Sequence, residues 1–260
     1  MKAIETIFEQ GDHKWAVVSR DPERPAYVID TNEYLVMSGK EMLLCDPGGM
    51  EIFPAVFSAI SKEFDPADIR WLFASHQDPD IISSLALWLD FNPEIRCYMS
   101  RLWATFVPHF GGTDKTFIGF PDEGQTIELG KITLEAVPAH YLHSSGNFHL
   151  YDPVAHILFS GDIGAALPPP GAGELELFVK DFDKHIRHAA GFHKRWMGSK
   201  EAIINWCERV SRMNIDMLCP QHGAIYQGAD VMRFVNWLSE LEIGSGIRTN
   251  LALAGEVDSH

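Results

Sequence analysis

Residues 69–75, IRWLFAS, form a nearly continuous apolar run that stops at His76. A short run of this kind suits a strand buried on both faces, and such a strand needs structure against each side. IDMLCP at 215–220 reads the same way. YLVMS (34–38) and EMLLCD (41–46) are two more apolar runs, separated by Gly39-Lys40 as a hairpin would be. Apolar residues at helical spacing supply the covering elements. They are Phe53, Val56, Phe57, Ile60 and Phe64 in 51–64, a stripe from Ile203 to Met213, and another from Val231 to Leu241. Sheets with helices packed outside are the natural arrangement for this mixture, which is an α/β class.

The remainder fills in around these segments. Strands are expected at 14–19, 26–30, 95–99, 125–130, 131–137, 147–152 and 156–161, and helices at 82–90 and 101–108. Residues 164–174 hold three consecutive prolines and three glycines and read as a loop. The tail after Gly244, about 244–260, has weak periodicity and is expected to be mobile. No shift in composition divides the chain, so residues 1–260 are read as one domain, an ordinary size for α/β architectures.

Charge and cysteine content narrow the function classes. Asp and Glu number 36 against 21 Lys and Arg, a formal charge of −15. Such a surface repels phosphate backbones and anionic headgroups, so neither nucleic acid nor membrane is the expected partner. Cys45, Cys97, Cys207 and Cys219 form no C-x-x-C pair and read as reduced core thiols of a cytoplasmic protein. The start MKAIETIFEQ lacks the pattern of a signal peptide, and no apolar stretch has the ~18 residues that a membrane span needs.

The strongest local signal is His76-Gln77-Asp78-Pro79-Asp80, placed directly after the buried run. Clustered carboxylates repel one another unless something positive binds them. In an extended or turning segment, side chains 76, 78 and 80 can share a side, which makes a cradle for a metal. The competing reading is that Asp78-Pro79 opens a helix, with Asp80 in its first turn. Three further strands also end in His or Asp, at His140/His143, at Asp162 and at His222. Taken singly, each of these reads as structural. Taken together, strand ends on one edge of a folded sheet converge on one site. His76, Asp78, Asp80, His143, Asp162 and His222 are too many ligands for one tetrahedral zinc and suit two metals sharing a carboxylate. Imidazole and carboxylate without thiolate suit iron, zinc or manganese and do not choose among them.

That order resembles the metallo-β-lactamase superfamily: a strand ending in H-x-[HDE]-x-D, then a His, an Asp after a Gly, and a late H-G. The likeness extends over nearly the whole chain, including the hairpin YLVMSGKEMLLCDPGG. The resemblance implies an αββα sandwich with a dinuclear site at one edge of its two sheets. Most hydrolytic members carry H-x-H-x-D-H, whereas here Asp78 stands at the second position and Ile81 follows Asp80. A carboxylate at the second position is similar to the flavodiiron proteins. HQDPD, HYLHSSGNFHLYDP, LFSGDIG, GFHKRWMGS and CPQHGAIY resemble in particular the stand-alone oxygen-binding diiron proteins that lack a flavodoxin domain.

The resemblance implies that His76, Asp78 and His143 hold one iron, that Asp80 and His222 hold the other, and that Asp162 bridges them. Ile81 would leave the second iron short of a ligand, open to dioxygen or nitric oxide. The function implied is a non-haem diiron protein that binds dioxygen. It would act as a sensor or carrier, or as an O2 or NO reductase component fed by an external electron donor or coupled to a signalling protein. The alternative is a dinuclear zinc or manganese hydrolase of small esters or phosphoesters. Neither G-x-G-x-x-G nor G-x-x-x-x-G-K-[ST] occurs, so no FMN or nucleotide site is expected in this chain.

Other candidates are set aside at this stage. His185, His188 and His193 are read as surface helix and loop, or a lid. His140 and His149 are read as partners that could orient ligands, and Trp71, Trp103, Trp196, Trp206 and Trp237 as core.

Overall fold

In the strand Glu33–Ser38, Tyr34 and Val36 face one way, Leu35 and Met37 face the other, and all four are buried. The strand Ile157–Gly161 alternates likewise, with Ile157 and Phe159 on one side and Leu158 on the other. Alternation with both faces buried demands three apolar layers, and three are found. The computed structural model describes residues 2–19, 21, 25, 27–169 and 176–247.

The first sheet runs in chain order: β1 (Ala3–Gln10), β2 (His13–Ser19), β3 (Glu33–Ser38), β4 (Glu41–Cys45), β5 (Ile69–Phe73), β6 (Arg96–Ser100) and β7 (Phe117–Phe120). β1 to β4 form an antiparallel meander, and β4 to β7 are parallel. The second sheet comprises β8 (Gln125–Leu129), β9 (Ile132–Pro138), β10 (Phe148–Asp152), β11 (Ile157–Gly161), β12 (Met217–Pro220) and β13 (Tyr226–Gln227), in reverse spatial order. It too begins as a meander, and β11 pairs in parallel with β12.

Helices α1 (Phe53–Glu63), α2 (Pro79–Ile82) and α3 (Leu85–Phe91) cover the first sheet, placing Val56, Ile60, Ile81, Leu85 and Trp88 against Leu35, Leu44 and Leu72. Helices α4 (Phe182–Trp196), α5 (Lys200–Val210) and α6 (Ala229–Glu240) cover the second, placing Phe192, Trp206 and Phe234 against Leu158 and Leu218. Phe73, Phe120, Phe148 and Phe159 fill the layer between the sheets. The fold is therefore the αββα metallo-β-lactamase-like sandwich.

Several local expectations need correction. Residues 27–30 form no strand, because their polar groups serve another segment: the carbonyl of Asp30 accepts from the His222 ring. Residues 101–108 form no continuous helix but two short 3-10 turns, Arg101–Trp103 and Val107–Phe110, and Pro108 supplies no N–H to join them. β1 and β7 were not foreseen. β1 is an edge strand whose residues are exposed or half-buried, so it lacks an apolar face to read. Residues 164–169 are loop, and 244–247 are neither helix nor strand. The rest of both segments lies outside the described residues. All four cysteines are buried and free. None of the described helices is long and apolar enough to cross a membrane.

Candidate metal centre

β5, β9, β11 and β12 all deliver their C-terminal ends to one edge of the sandwich, where open α/β sheets build their sites. Backbone hydrogen bonds join the two sheets there. Phe148 donates to the Ser75 carbonyl at 3.0 Å, and Asn32, just before β3, donates to the Gln221 carbonyl at 2.6 Å. Gly161 has φ +51°, and a Cβ on it would lie 2.9 Å from Ser75 Oγ. The glycine before Asp162 thus permits both the turn and the close approach of the first sheet.

Each predicted residue is brought to this edge. His76 follows β5. Asp78 is the N-cap of α2, Pro79 opens it, and Asp80 lies in its first turn. The helix-opening and site readings of this segment therefore coexist. His143 sits in the tight loop between β9 and β10, which is held by Ala139 N to Asn147 O at 2.9 Å and Tyr141 N to Ser144 O at 2.7 Å. Asp162 follows β11. His222 follows β12, in a turn pinned by Asn32 Nδ2, which donates to the carbonyls of Pro220 and Gly223.

The donors divide into two groups around Asp162. Its Oδ2 lies 2.9 Å from His143 Nε2 and 3.6 Å from His76 Nε2, and Asp78 Oδ2 lies 3.5 Å from the His143 nitrogen. Its Oδ1 faces the other way, 3.4 Å from His222 Nε2, which lies 3.2 Å from Asp80 Oδ2. One ligand atom from each of His76, Asp78, His143 and Asp162 fits within 4.8 Å of the others, close enough to share one ion. A cavity of about 290 Å³, lined by Tyr27, Ile29, Ile52 and Pro79 among others, opens beside Asp80. Ile81 points away from the donors, into the layer beneath α1 and α3.

The outer ring nitrogens of two histidines are already committed. Ser75 Oγ donates to Asp46 Oδ2 at 2.7 Å, so it accepts from His76 Nδ1 at 2.9 Å. His222 Nδ1 donates to the Asp30 carbonyl at 2.9 Å. These bonds fix the tautomer and turn each Nε2 lone pair inward, as ligation requires. His76 Nε2 and Asp162 Oδ1 are buried and make no hydrogen bond of good geometry. Buried polar atoms normally find a partner, and a cation between the groups would satisfy both.

Without a cation, protons carry the balancing charge. Burial opposes the charge on His76, but Asp162 and Asp78 outweigh it and push its pKa up to about 10. Burial likewise opposes a charged His222, and Asp162 and Asp80 raise it well above the ordinary histidine range. Asp162 is held well below the usual carboxylate range: burial works against it, but His143, His222 and His76 prevail. An ion entering this site replaces those protons.

Three supporting residues were missed in the sequence. Ser75 and Asp46 carry no metal-ligand pattern, and only their place beside a strand end could have drawn notice. His193, read as surface, is fully buried: its Nδ1 bonds the Ala189 carbonyl at 2.9 Å, and its Nε2 accepts from Gly164 N at 3.1 Å, fixing the turn after Asp162. His185 is buried too, against Tyr226. Helix α4 runs unbroken through Gly191, so both rings face inward. His140 bonds the Asp122 carbonyl and His149 accepts from Trp206, so neither ring is hydrogen-bonded to one of the six donors. Trp206 is core as expected, whereas Trp196 is 53% exposed.

Known proteins share this fold. The family described as ODP family beta lactamase matches residues 29–223. The chemotaxis sensor ODP of T. denticola, solved in its apo state, is 38% identical with a TM-score of 0.84, covering 94% of this chain and 96% of that one. The chemotaxis sensor ODP solved as a peroxy diiron species gives 0.81. A point mutant of the flavo di-iron protein of Thermotoga maritima shares the fold at 23% identity and a TM-score of 0.77, covering 92% of this chain and 61% of that one. An uncharacterized protein of Methanocaldococcus jannaschii is 24% identical over 223 residues, 85% of this chain, which spans 55% of that relative's length.

Proposed function

This chain belongs to the ODP family of β-lactamase-fold proteins, and from that premise we propose that it is a non-haem diiron protein that binds dioxygen. The observation that carries the reading is the position of Asp162, whose two carboxylate oxygens face separate His/Asp groups. His76, Asp78 and His143 would hold one iron, Asp80 and His222 the other, and Asp162 would bridge them. A ferrous pair supplies electrons and an open coordination position for dioxygen or nitric oxide.

The chain's own residues set the conditions for that chemistry. Ser75 and Asp30 orient His76 and His222 from behind. The carboxylates offset the positive charge of the ions. Asp80, with its side chain 34% exposed, stands at the more open group, and Ile81 beside it provides no further ligand there. The diatomic ligand would arrive on the Asp80 side, through the cavity lined by Tyr27 and Ile29. Reduced centres that react with air need an electron donor to return to the ferrous state, and a donor outside the chain would serve.

The test is elemental analysis of the protein purified without added metal, with an absorption spectrum of the same sample. Close to two irons per chain, with bands that change between the reduced and air-exposed states, is the expected result. Two zincs or manganeses, no visible bands and no oxygen-responsive spectrum after ferrous iron under argon would overturn it in favour of a hydrolase.

A further inference from the structure

Trp196, the last residue of α4, is an exposed indole whose inner face rests on a site histidine. Its ring centroid lies 5.1 Å from that of His143, tilted by 51°. It stacks on buried Phe192 at 5.7 Å and 22°, and Phe192 itself lies 6.1 Å from His143. The His143 ring meets the His76 ring edge-on at 4.9 Å. A continuous file of aromatic rings therefore runs from solvent through Trp196 to two of the six donors. A singly exposed apolar residue needs no explanation by itself. What calls for one is an indole open to solvent on one side and in contact with His143 on the other.

We propose that Trp196 is the conduit through which electrons reach the metal centre from a donor outside the chain. The inference rests on the diiron reading above. Electron exchange falls steeply with each added gap between donor and acceptor, and the π-system of an indole in contact with an imidazole shortens that gap. Among the described residues, the other two site histidines lack such a neighbour at the surface. The His76 and His222 side chains are 1% and 2% exposed, with Ser75 and the Asp30 carbonyl behind them. Asp78 and Asp80 do reach solvent, but a carboxylate offers no π-system on which a donor can stack, and the field of a chain of net −15 repels an anionic reductant. An aromatic cation is attracted by the same field and stacks well on an exposed indole. Each transfer moves one electron and no atom: the donor is oxidised by one electron, and two such events return two ferric ions to ferrous.

The experiment uses the full chain, loaded with ferrous iron under argon, oxidised in air and mixed with the methyl viologen radical cation, which becomes the dication on donating its electron. Iron content is measured for each protein first. Trp196→Leu should slow viologen oxidation by about tenfold or more, and Trp196→Phe, which keeps a ring on His143, should stay within about threefold of the parent. Should Leu reduce iron binding, Trp196→Met fills more of the space without a ring and takes its place. Part of the tryptophan emission quenched on iron loading should also disappear in Trp196→Phe. An iron-replete Leu or Met variant that reacts at the parental rate overturns the conduit and leaves the diiron reading standing. A parent chain that takes up no iron defeats the diiron reading, and the conduit falls with it.

Discussion

Asp152 and Asp162 are both buried, both follow or end a strand of the second sheet, and both meet histidine, yet they do opposite things. Asp152 ends β10, at the edge remote from the metal centre. Its Oδ2 accepts from Trp15 Nε1 at 2.7 Å and bonds His13 Nε2 at 2.6 Å, while its Oδ1 accepts from the backbone N–H groups of Val154 and Ala155. Both oxygens are occupied, and the network ties the two sheets together. Asp162 follows β11, and its surroundings are imidazole nitrogens whose lone pairs turn inward, with Oδ1 lacking a hydrogen-bond partner. A buried carboxylate surrounded by fixed N–H donors is complete within the protein. One surrounded by other lone-pair donors is complete only when a cation joins it.

Removing each carboxylate breaks the comparison most directly. Asp162→Ala should empty both metal positions, taking the bound metal from two ions per chain toward none while the chain remains folded. Elemental analysis after desalting decides this, and one ion retained at full occupancy would show that Asp162 does not bridge. Asp152→Ala should do the reverse. Breaking a buried charged network by removing one partner costs about 3–5 kcal/mol, visible as a lower urea midpoint, while folded protein still binds metal. If Asp152→Ala lost its metal with no loss of stability, the division between the two edges would be wrong.

The same contrast explains what could be read from the sequence. The six candidate donors stood out because apolar strands ended in His or Asp, and parallel strand ends must meet at one edge. Asp152, next to Pro153, suggests no more than a turn, because nothing in a linear pattern says that it will be roofed by Trp15 and His13 from the other sheet. Ser75 and Asp46 were missed for the same reason: their value lies in a contact between residues 29 apart. His193 is easily misplaced, because the glycine two residues before it reads as a helix break. Gly191 instead sits where a Cβ would meet nothing, so the helix continues and its inward face buries the ring. β1 gave no signal because it buries no continuous face.

A smaller effect should come from the residues behind the donors. Ser75→Ala removes the acceptor that holds His76 Nδ1 and the hydroxyl that Asp46 accepts. Loss of such a supporting hydrogen bond typically costs about 10–100-fold in metal affinity. A competition titration against a chelator measures it, with the fold checked by circular dichroism. An unchanged affinity would mean that packing alone orients His76.

The histidines divide as the aspartates do, and the smallest prediction follows from that. His76 and His222 face carboxylates and are raised, whereas His149 faces none. Its Nδ1 accepts from Trp206 Nε1 at 3.2 Å, and burial, with lesser contributions from His76 and Arg209, lowers its pKa from 6.5 to about 3. A folded-state pKa below the unfolded one means that the unfolded chain takes up a proton the folded chain refuses. Stability is therefore unaffected by this group above pH about 6.5 and is lost as pH falls from there toward about 3, at up to about 1.4 kcal/mol per pH unit. His149→Leu should start from a lower stability at pH 8, having left Trp206 Nε1 unpaired, but should decline less steeply between pH 6.5 and 4. Urea midpoints across that range, taken with metal removed so that the site histidines contribute equally to both proteins, would show the slopes diverge. Parallel slopes would mean that His149 is protonated as readily in the folded chain as in the unfolded one, and that a neutral, hydrogen-bond-accepting His149 does not exist in solution.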